Sequence, residues 1–135
     1  TRFVADFIGN MNFFDGIIKS LDSTGTIVDL GADGKIIYKT DKTYVSGKKI
    51  HFCIRPERMK ITMLPPGEFE NCLEGKIIQK NYLGEITKFM VEIRKDVQIS
   101  IVVQNYLLQL SNEFYEVGEK VNVVWSKTSG EVIYV

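Results

Sequence analysis

Short runs in which apolar and polar residues alternate constrain the fold of this chain more than any other feature. Phe89, Val91 and Ile93 alternate with charged residues, and the run 97–103 alternates in the same way after Lys95-Asp96. A period of two places the apolar side chains on one face of a strand, and a two-residue connection joins two strands into a hairpin. The two runs therefore predict a hairpin with one buried face.

Further runs of this kind occur along the chain, at 16–21, 26–30, 36–40, 50–54, 75–80, 121–125 and 132–135. The breaks between them carry turn residues, such as Ala32-Asp33-Gly34 and Ser129-Gly130. Many short strands at this spacing predict an all-β barrel or sandwich. The side chains expected to point inward are Ile50, Phe52, Ile54, Phe89, Val91, Ile93, Val121, Val123 and Trp125.

The chain also repeats itself weakly. The segment Val45–Phe52 resembles Val117–Val123, because each has a Gly turn and a Lys before an alternating strand. This predicts two related β units, 10–60 and 75–135. The connector 61–74 between them contains Leu64-Pro65-Pro66-Gly67, and proline cannot donate to a strand ladder. Neither unit has enough strands to close a barrel comfortably, so we expect one shared core. A single helical turn is expected from Asn105 to about Leu110.

The N-terminal residues have helical spacing instead. Phe3, Phe7 and Ile8 would share one face of a short helix that ends at Gly9. The chain enters this helix without an initiator Met or a capping residue, which favours a fragment of a longer protein. Exposed aromatic side chains often mark an interface or the face left by a removed domain. The candidate contact residues here are Phe3, Phe7, Phe13 and Phe14.

Composition narrows the class of protein. Lys plus Arg and Asp plus Glu are 17 each, so no net field favours nucleic acid or an acidic membrane. No apolar run approaches the roughly 20 residues that span a bilayer, and no secretory signal pattern occurs. Cys53 and Cys72 lack metal-ligand spacing, and isolated cysteines are typical of a reducing compartment. A soluble intracellular domain is predicted.

A search for catalytic and cofactor motifs finds none. No Gly lies five positions before the Gly of Gly34-Lys35, Gly47-Lys48 or Gly75-Lys76, so the sequence holds no P-loop. GxGxxG, GxSxG and HExxH are absent as well. His51 is the only histidine, and alternation places it with Cys53 on the polar face of its strand. We therefore predict no catalytic residue, no metal site and no cofactor site in this chain.

Polar residues follow two of the predicted strands, and those after the first strand have two interpretations. Arg55-Pro56-Glu57 follows a predicted strand, where Pro56 would end the ladder and the charges would pair with neighbours or solvent. Alternatively, an Arg–carboxylate bond could hold the connector against the barrel or a partner chain, which makes Arg55 and Glu57 a second candidate contact. Asn81-Tyr82-Leu83-Gly84 predicts a turn in which Gly84 takes a positive φ and Tyr82 packs over the barrel.

Several segments, in order, resemble the C-terminal domain of ATP-binding subunits of ABC importers, most closely the spermidine/putrescine type. They are Phe3-Val4-Ala5-Asp6-Phe7-Ile8-Gly9 with Asn12-Phe13-Phe14, Ile54-Arg55-Pro56-Glu57, Glu74-Gly75-Lys76-Ile77-Ile78 with Asn81-Tyr82-Leu83-Gly84, and Val121-Asn122-Val123-Val124-Trp125. The resemblance implies a transport-associated OB-like barrel (MOP/TOBE-type), 10–135, preceded by the end of a linker helix, 1–9, from a missing ATPase domain. In the parent chain, ATP and Mg would be bound upstream of Thr1, where the family's ATP-handling residues lie.

This resemblance implies a regulatory and dimer-stabilising domain of an ATP-driven polyamine importer, without catalysis of its own. The implied partners are a second copy of the chain, the ABC ATPase domain and membrane permease subunits, at the inner face of the cell membrane. One alternative is a domain that senses a small ligand, a polyamine or an oxyanion. A polyamine site would need converging carboxylates from among Glu68, Glu70, Glu74, Glu113 and Glu116. The other alternative is an OB module that binds single-stranded nucleic acid through stacked aromatic residues.

Overall fold

The computed structural model describes residues 11–68, 70–111 and 114–135, and they form an almost entirely β structure. The strands are β1 (Asn12–Asp22), β2 (Gly25–Asp29), β3 (Lys35–Tyr38), β4 (Lys49–Ile54), β5 (Lys60–Thr62), β6 (Glu70–Leu83), β7 (Ile86–Arg94), β8 (Val97–Gln104), β9 (Lys120–Ser126) and β10 (Glu131–Tyr134). One α-helix, α1 (Asn105–Ser111), lies between β8 and β9, and short 3₁₀ turns cover Gly31–Asp33 and Pro56–Arg58. The predicted helix ending at Gly9 lies outside the described residues.

The strands form two antiparallel five-stranded sheets that confirm the all-β prediction. Strand order is β10-β4-β1-β2-β3 in the first sheet and β5-β9-β6-β7-β8 in the second. The predicted hairpin across Lys95-Asp96 is present, with Phe89 opposite Ile101. No described helix has the length and apolar character needed to cross a bilayer.

The two sheets repeat one plan, as the sequence repeat predicts. In the first, the bulge of β1 binds the turn before β4, since the Gly47 amide donates to the Ile18 carbonyl over 2.7 Å. In the second, the Gly118 amide donates to the Ile77 carbonyl over 2.8 Å in the same way. Strands β1–β4 therefore correspond to β6–β9.

Each unit contributes one strand to the other unit's sheet. β10, at the end of the second unit, pairs with β4 in the first sheet, and Glu131 lies opposite Cys53. β5, which follows the first unit, pairs with β9 in the second sheet, and Ile61 lies opposite Val123. The connector is shorter than the predicted range 61–74, because β5 ends at Thr62 and β6 begins at Glu70. The chain thus crosses from the first sheet to the second at β5, forms the rest of the second sheet with β6 to β9, and returns to the first sheet only with β10.

Two buried asparagines fasten the units to each other. The Asn71 amide on β6 donates to the Ile37 carbonyl over 2.8 Å and accepts from the Ile37 N–H over 2.9 Å. The Asn12 amide on β1 makes the equivalent pair with Ser100 on β8, over 2.7 and 2.8 Å. Each side chain thus pairs with the backbone N–H and C=O groups of a residue on the outer strand of the opposite sheet. Strand pairing alone would leave these two groups without partners.

A single hydrophobic core runs through both units, as expected. All the side chains predicted to point inward are buried, except that Ile93 is partly buried against the core. Trp125 and Phe52 lie at its centre, and Phe14 stacks on Trp125 with ring centroids 6.4 Å apart. The neighbouring strands β6 and β7 leave no room for a side chain at Gly75, where a Cβ atom would come within 2.4 Å of Val91 Cγ1. A side chain there would therefore force β6 and β7 apart.

Candidate functional site

A groove follows the outward face of the second sheet, across β6, β7 and β9. Its volume is about 530 Å³, and it continues beneath the prolines of the connector between β5 and β6. Outward-facing residues alternate with the core residues of these strands, and most of the outward side chains that line the groove are polar. The charged and polar residues that line it are Asp33, Glu74, Lys76, Glu92, Arg94, Lys120 and Asn122.

The strand register places two lysines side by side in this groove. Lys76 on β6 lies opposite Lys120 on β9 and opposite Glu92 on β7. Neither lysine side chain forms an ion pair within 4 Å or a hydrogen bond with any residue that the structure describes. Like charges directly opposite each other across two strands repel. An anion between the two ammonium groups would relieve that repulsion.

An ion pair between the units closes one end of the groove. Arg94 Nε, at the end of β7, lies 2.8 Å from Asp33 Oδ1 in the 3₁₀ turn of the first unit. The Asp33 side chain is only 7% exposed, whereas that of Arg94 is 50% exposed. Arg94 is therefore already engaged, and the two lysines are the groove's available cations.

The groove offers chemistry for binding and little for catalysis. Cys72 is its only thiol, and burial raises the pKa of that thiol, with smaller contributions from the Glu74 and Glu70 carboxylates. A thiol held protonated is a poor nucleophile. Within the described ranges, no group of three or more His, Cys, Asp or Glu residues could hold a metal ion.

The carboxylates proposed for a polyamine site do not converge among the described residues. Glu70 lies 3.6 Å from Lys60, and Glu116 lies 3.3 Å from Lys80 on another edge. Glu74 lines the groove, and Glu68 lies in the connector, where its backbone carbonyl accepts from Lys127 Nζ. Glu113 lies outside the described residues. The arrangement favours separate ion pairs over a cation-binding cluster.

The predicted contact residues have different environments. Phe3 and Phe7 lie outside the described residues. Phe14 is 4% exposed and packs in the core, so its side chain is not available at the surface and its assignment to an exposed patch was wrong. β1 already begins at Asn12, and Phe14 shares the buried face of this strand with Asn12. Phe13 points outward on β1 and packs against the His51 ring, with centroids 4.3 Å apart.

Within the chain, Arg55 and Glu57 pair with each other at the Arg55-Pro56-Glu57 corner. Arg55 Nη1 lies 3.9 Å from Glu57 Oε1, and both side chains are more than half exposed. Pro56 begins a 3₁₀ turn after β4, as a strand-ending proline should. This ion pair is local, so it does not hold the connector against the barrel.

His51 lies on the outward face of β4 as expected, whereas the environments of Cys53 and Tyr82 differ from those expected. His51 is half-buried, and its Nδ1 lies 2.8 Å from Asp15 Oδ1. Cys53 is fully buried, because β4 is an inner strand with β1 and β10 on either side. Burial, and then the Glu131 carboxylate, raise the pKa of its thiol to about 11. Gly84 takes the predicted positive φ, but Tyr82 is 70% exposed and does not pack over the barrel.

Sequence reasoning missed the fastening asparagines and the lysine pair. A signal for the asparagines was present, since Asn12-Phe13-Phe14-Asp15-Gly16 and Asn71-Cys72-Leu73-Glu74-Gly75 share Asn, an acid and Gly at equal spacing. The lysine pair left no such signal, because it depends on the register between β6 and β9.

Comparisons with known proteins agree with this architecture. The family model for the TOBE domain matches residues 52–133. In structure, the chain is similar to the molybdate-bound form of the cytoplasmic molybdate-binding protein ModG. The TM-score is 0.77 at 12% identity, over 90% of this chain and 94% of that one. The similarity supports an OB-like fold.

Curated relatives are ATP-binding proteins of polyamine transport. The chain is 30% identical over 106 residues to the putrescine transport ATP-binding protein PotG of Escherichia coli (strain K12), which covers 78% of this chain and 28% of PotG. It is 25% identical over 134 residues to the spermidine/putrescine import ATP-binding protein PotA 2 of Pseudomonas aeruginosa PAO1. That match covers 98% of this chain and 37% of the relative, so the chain spans about a third of the length of such proteins.

Proposed function

This chain belongs to the TOBE domain family, and from that membership we propose that it is the non-catalytic regulatory domain of an ATP-binding subunit of an ABC-type spermidine/putrescine importer. The observation that carries the proposal is the match to PotA 2, which takes in 98% of this chain but only 37% of the relative. A longer parent chain would place this domain beside an ATPase domain. The sequence holds no P-loop, so ATP and Mg would be bound by that other domain.

The same proposal assigns the partners. The parent subunit would associate with permease subunits at the inner face of the cell membrane, and the regulatory domain would pair with a second copy of itself. Phe13, which points outward on β1, and the exposed corner Arg55 and Glu57 are the described residues that support such a contact. Sedimentation over a concentration series tests it. A species that stays monomeric at high micromolar concentration would contradict the pairing of these domains.

Uptake of labelled polyamine tests the transport role. Deleting the gene of the parent chain should abolish ATP-dependent uptake of spermidine or putrescine, and the full-length gene should restore it. The isolated 135-residue chain should neither bind nor hydrolyse ATP. Unchanged uptake of both polyamines in the deletion strain would contradict the importer proposal. Hydrolysis of ATP by the isolated chain would contradict its non-catalytic role.

A second candidate is an oxyanion-sensing domain, favoured by the unpaired Lys76 and Lys120 in the groove. Titration calorimetry with molybdate, sulfate and spermidine separates the candidates. Heat from an oxyanion that disappears in Lys120→Gln but persists in Lys19→Gln, an exposed lysine on β1, would support anion sensing. Heat from spermidine alone would support polyamine sensing. The absence of heat from all three ligands would leave regulation through protein contacts.

A further inference from the structure

In the described part of the chain, each sheet has two outer strands, and three of these four carry a feature that protects a sheet edge. On β3, the N–H and C=O groups of Ile37 bind the side chain of Asn71. On β8, those of Ser100 bind the side chain of Asn12. β5 has only three residues and begins with a lysine, Lys60. Partners for the backbone groups, short length and an edge lysine all keep further strands from joining a sheet.

The fourth outer strand, β10, has an open edge. Its sequence, Glu131-Val132-Ile133-Tyr134, contains neither lysine nor proline. The Val135 N–H donates to the Lys49 carbonyl over 3.3 Å, so residues 131, 133 and 135 bond to β4. The N–H and C=O groups of Val132 and Tyr134 therefore point away from β4. On that side, neither residue has a backbone hydrogen bond to any residue within the described ranges.

Apolar side chains are exposed around this edge. Val45, Tyr134 and Val135 have exposed fractions between 48% and 75%. Together with Lys48 and Lys49, they line a hollow of about 540 Å³ at the end of β10. The Tyr134 hydroxyl accepts from the Val45 N–H over 3.1 Å, which holds β10 against the loop before β4. A strand added at this edge would thus cover apolar surface and also pair with the backbone.

Two opposite charges beside the open edge do not pair within one chain. Glu131 on β10 and Lys49 on β4 are both exposed on the outward face of the first sheet. Neither side chain forms an ion pair within 4 Å in the part of the chain that the structure describes. Glu131 lies opposite Cys53, which is four residues, or about 13 Å, along β4 from Lys49.

We propose that β10 pairs antiparallel with β10 of a second copy, around a two-fold axis at Ile133. The inference rests on the pairing proposed above for the regulatory domain and assigns the contact through which it occurs. In this register, Val132 of each copy lies opposite Tyr134 of the other, so all the open N–H and C=O groups of both residues find partners. Two five-stranded sheets become one sheet of about ten strands through an isologous contact.

The charges favour a second copy over an unrelated strand. The axis at Ile133 places Glu131 of one copy opposite Val135 of the other, and Lys49 lies beside that Val135 on β4. Two strand spacings, about 10 Å between Cα atoms, separate the glutamate from the lysine, and both side chains lie on the same face. Their combined length bridges that distance. Symmetry repeats the contact, so one pairing brings both glutamates to both lysines, with the two Ile133 side chains between them.

Reversal of each charge tests the pairing by sedimentation. One strand pair is a small interface, so the wild-type chain should associate weakly, at high micromolar concentration. Glu131→Lys or Lys49→Glu replaces two attractions by two repulsions, and each change should weaken self-association by about tenfold or more. A mixture of the two variants should associate as the wild type does, because each copy then meets the opposite charge. Lys35→Glu, an exposed lysine on β3, is the matched control and should change nothing.

Amide hydrogen exchange locates the contact. Exchange at the Val132 and Tyr134 N–H groups should slow as the protein concentration rises, because these groups gain partners in the second copy. The Ile37 N–H already bonds to Asn71 and should exchange at the same rate at every concentration. Exchange at Val132 and Tyr134 that does not change while the chain associates would overturn the β10 contact.

The outcomes separate this contact from the proposed function. A wild-type chain that stays monomeric would contradict both the β10 contact and the pairing of the domains. Self-association that both reversals leave unchanged, or a mixture that fails to associate, would overturn the contact and leave pairing through another surface. Protection of Val132 and Tyr134 by an added extended peptide, in a chain that does not self-associate, would assign the edge to a strand of another protein. The importer role is decided separately, by polyamine uptake.

Discussion

At the scale of single residues, two asparagines decide how the halves of this molecule meet. Asn71 binds both backbone groups of Ile37, and Asn12 binds those of Ser100. An amide is suited to this task because it offers a donor and an acceptor side by side. Their burial makes the loss of either one costly, since water cannot easily replace it.

Replacing Asn71 by Ala should therefore destabilise the fold. The change leaves the N–H and C=O groups of Ile37 unpaired. Such a group costs about 1–3 kcal/mol when it is fully buried, and these two are part-buried, so the cost of each lies in the lower part of that range. We expect the free energy of unfolding to fall by about 2–4 kcal/mol in urea titrations. Asn81→Ala, at an exposed position of β6, is the control and should change it by less than about 0.5 kcal/mol. Equal midpoints for the two variants would refute the fastening role.

The Cys53 thiol should make stability depend on alkaline pH. Its folded pKa is about 11, against an ordinary value of 9.0, because burial disfavours the thiolate. A raised folded pKa means that this contribution to stability is complete below pH 9 and declines as the pH rises towards 11. Cys53→Val should remove that part of the decline, and Val occupies the equivalent position 124 in the second unit. Identical pH profiles of unfolding for wild type and variant would contradict this assignment.

Trp125 and Phe89 should be the costliest truncations in the core. Both are fully buried, and removing such a side chain typically costs about 3–5 kcal/mol. Trp125→Phe should cost less than Trp125→Ala, because the indole Nε1 has no hydrogen-bond partner among the described residues. Midpoints in urea measure both effects. Unchanged midpoints for the two alanine variants would mean that these strands face the other way.

At the scale of elements, alternation was enough to place most strands and their buried faces. It could not place β5, because a strand of three residues is too short to show a period of two. Proline in the connector also hid the first residues of β6. Cys53 shows a second limit, since alternation assigns a side chain to a face but does not say whether neighbouring strands cover it.

Helix α1 should contribute surface and almost no stability. Leu110 is 78% exposed, so Leu110→Ala should change the free energy of unfolding by less than about 0.5 kcal/mol. Leu73 on β6 is 6% exposed, and its replacement by Ala should cost about 2–5 kcal/mol. Thermal or urea unfolding compares the two. A larger loss for Leu110→Ala than for Leu73→Ala would place α1 within the cooperative core.

At the scale of the whole molecule, the shared core followed from the sequence, but the exchange of strands did not. Two short units had to share a core to bury enough apolar surface, which is a matter of size. The pairing of β10 with β4 joins residues about 80 positions apart and leaves no mark on either strand's pattern. The candidate groove depends on register in the same way, so its lysines could not be paired in advance.

Cutting the chain between Pro65 and Pro66 should leave a folded complex. The cut falls in the connector, and β5 and β10 would still complete each other's sheets. We expect fragments 1–65 and 66–135 to copurify when expressed together and to unfold in one transition. Either fragment alone should lack cooperative unfolding, because its sheet has lost an edge strand and its half of the core. A stable fold for 1–65 alone would show that the units are independent.

The exchanged strands also have a consequence for biosynthesis. A ribosome delivers β1 to β4 early, but the strand that completes their sheet, Glu131–Tyr134, emerges after every other strand. The first half must therefore wait with the edge of β4 open while the second half is being translated. Nascent chains stalled at successive lengths should remain sensitive to protease throughout and become resistant together, once residue 134 has cleared the exit tunnel.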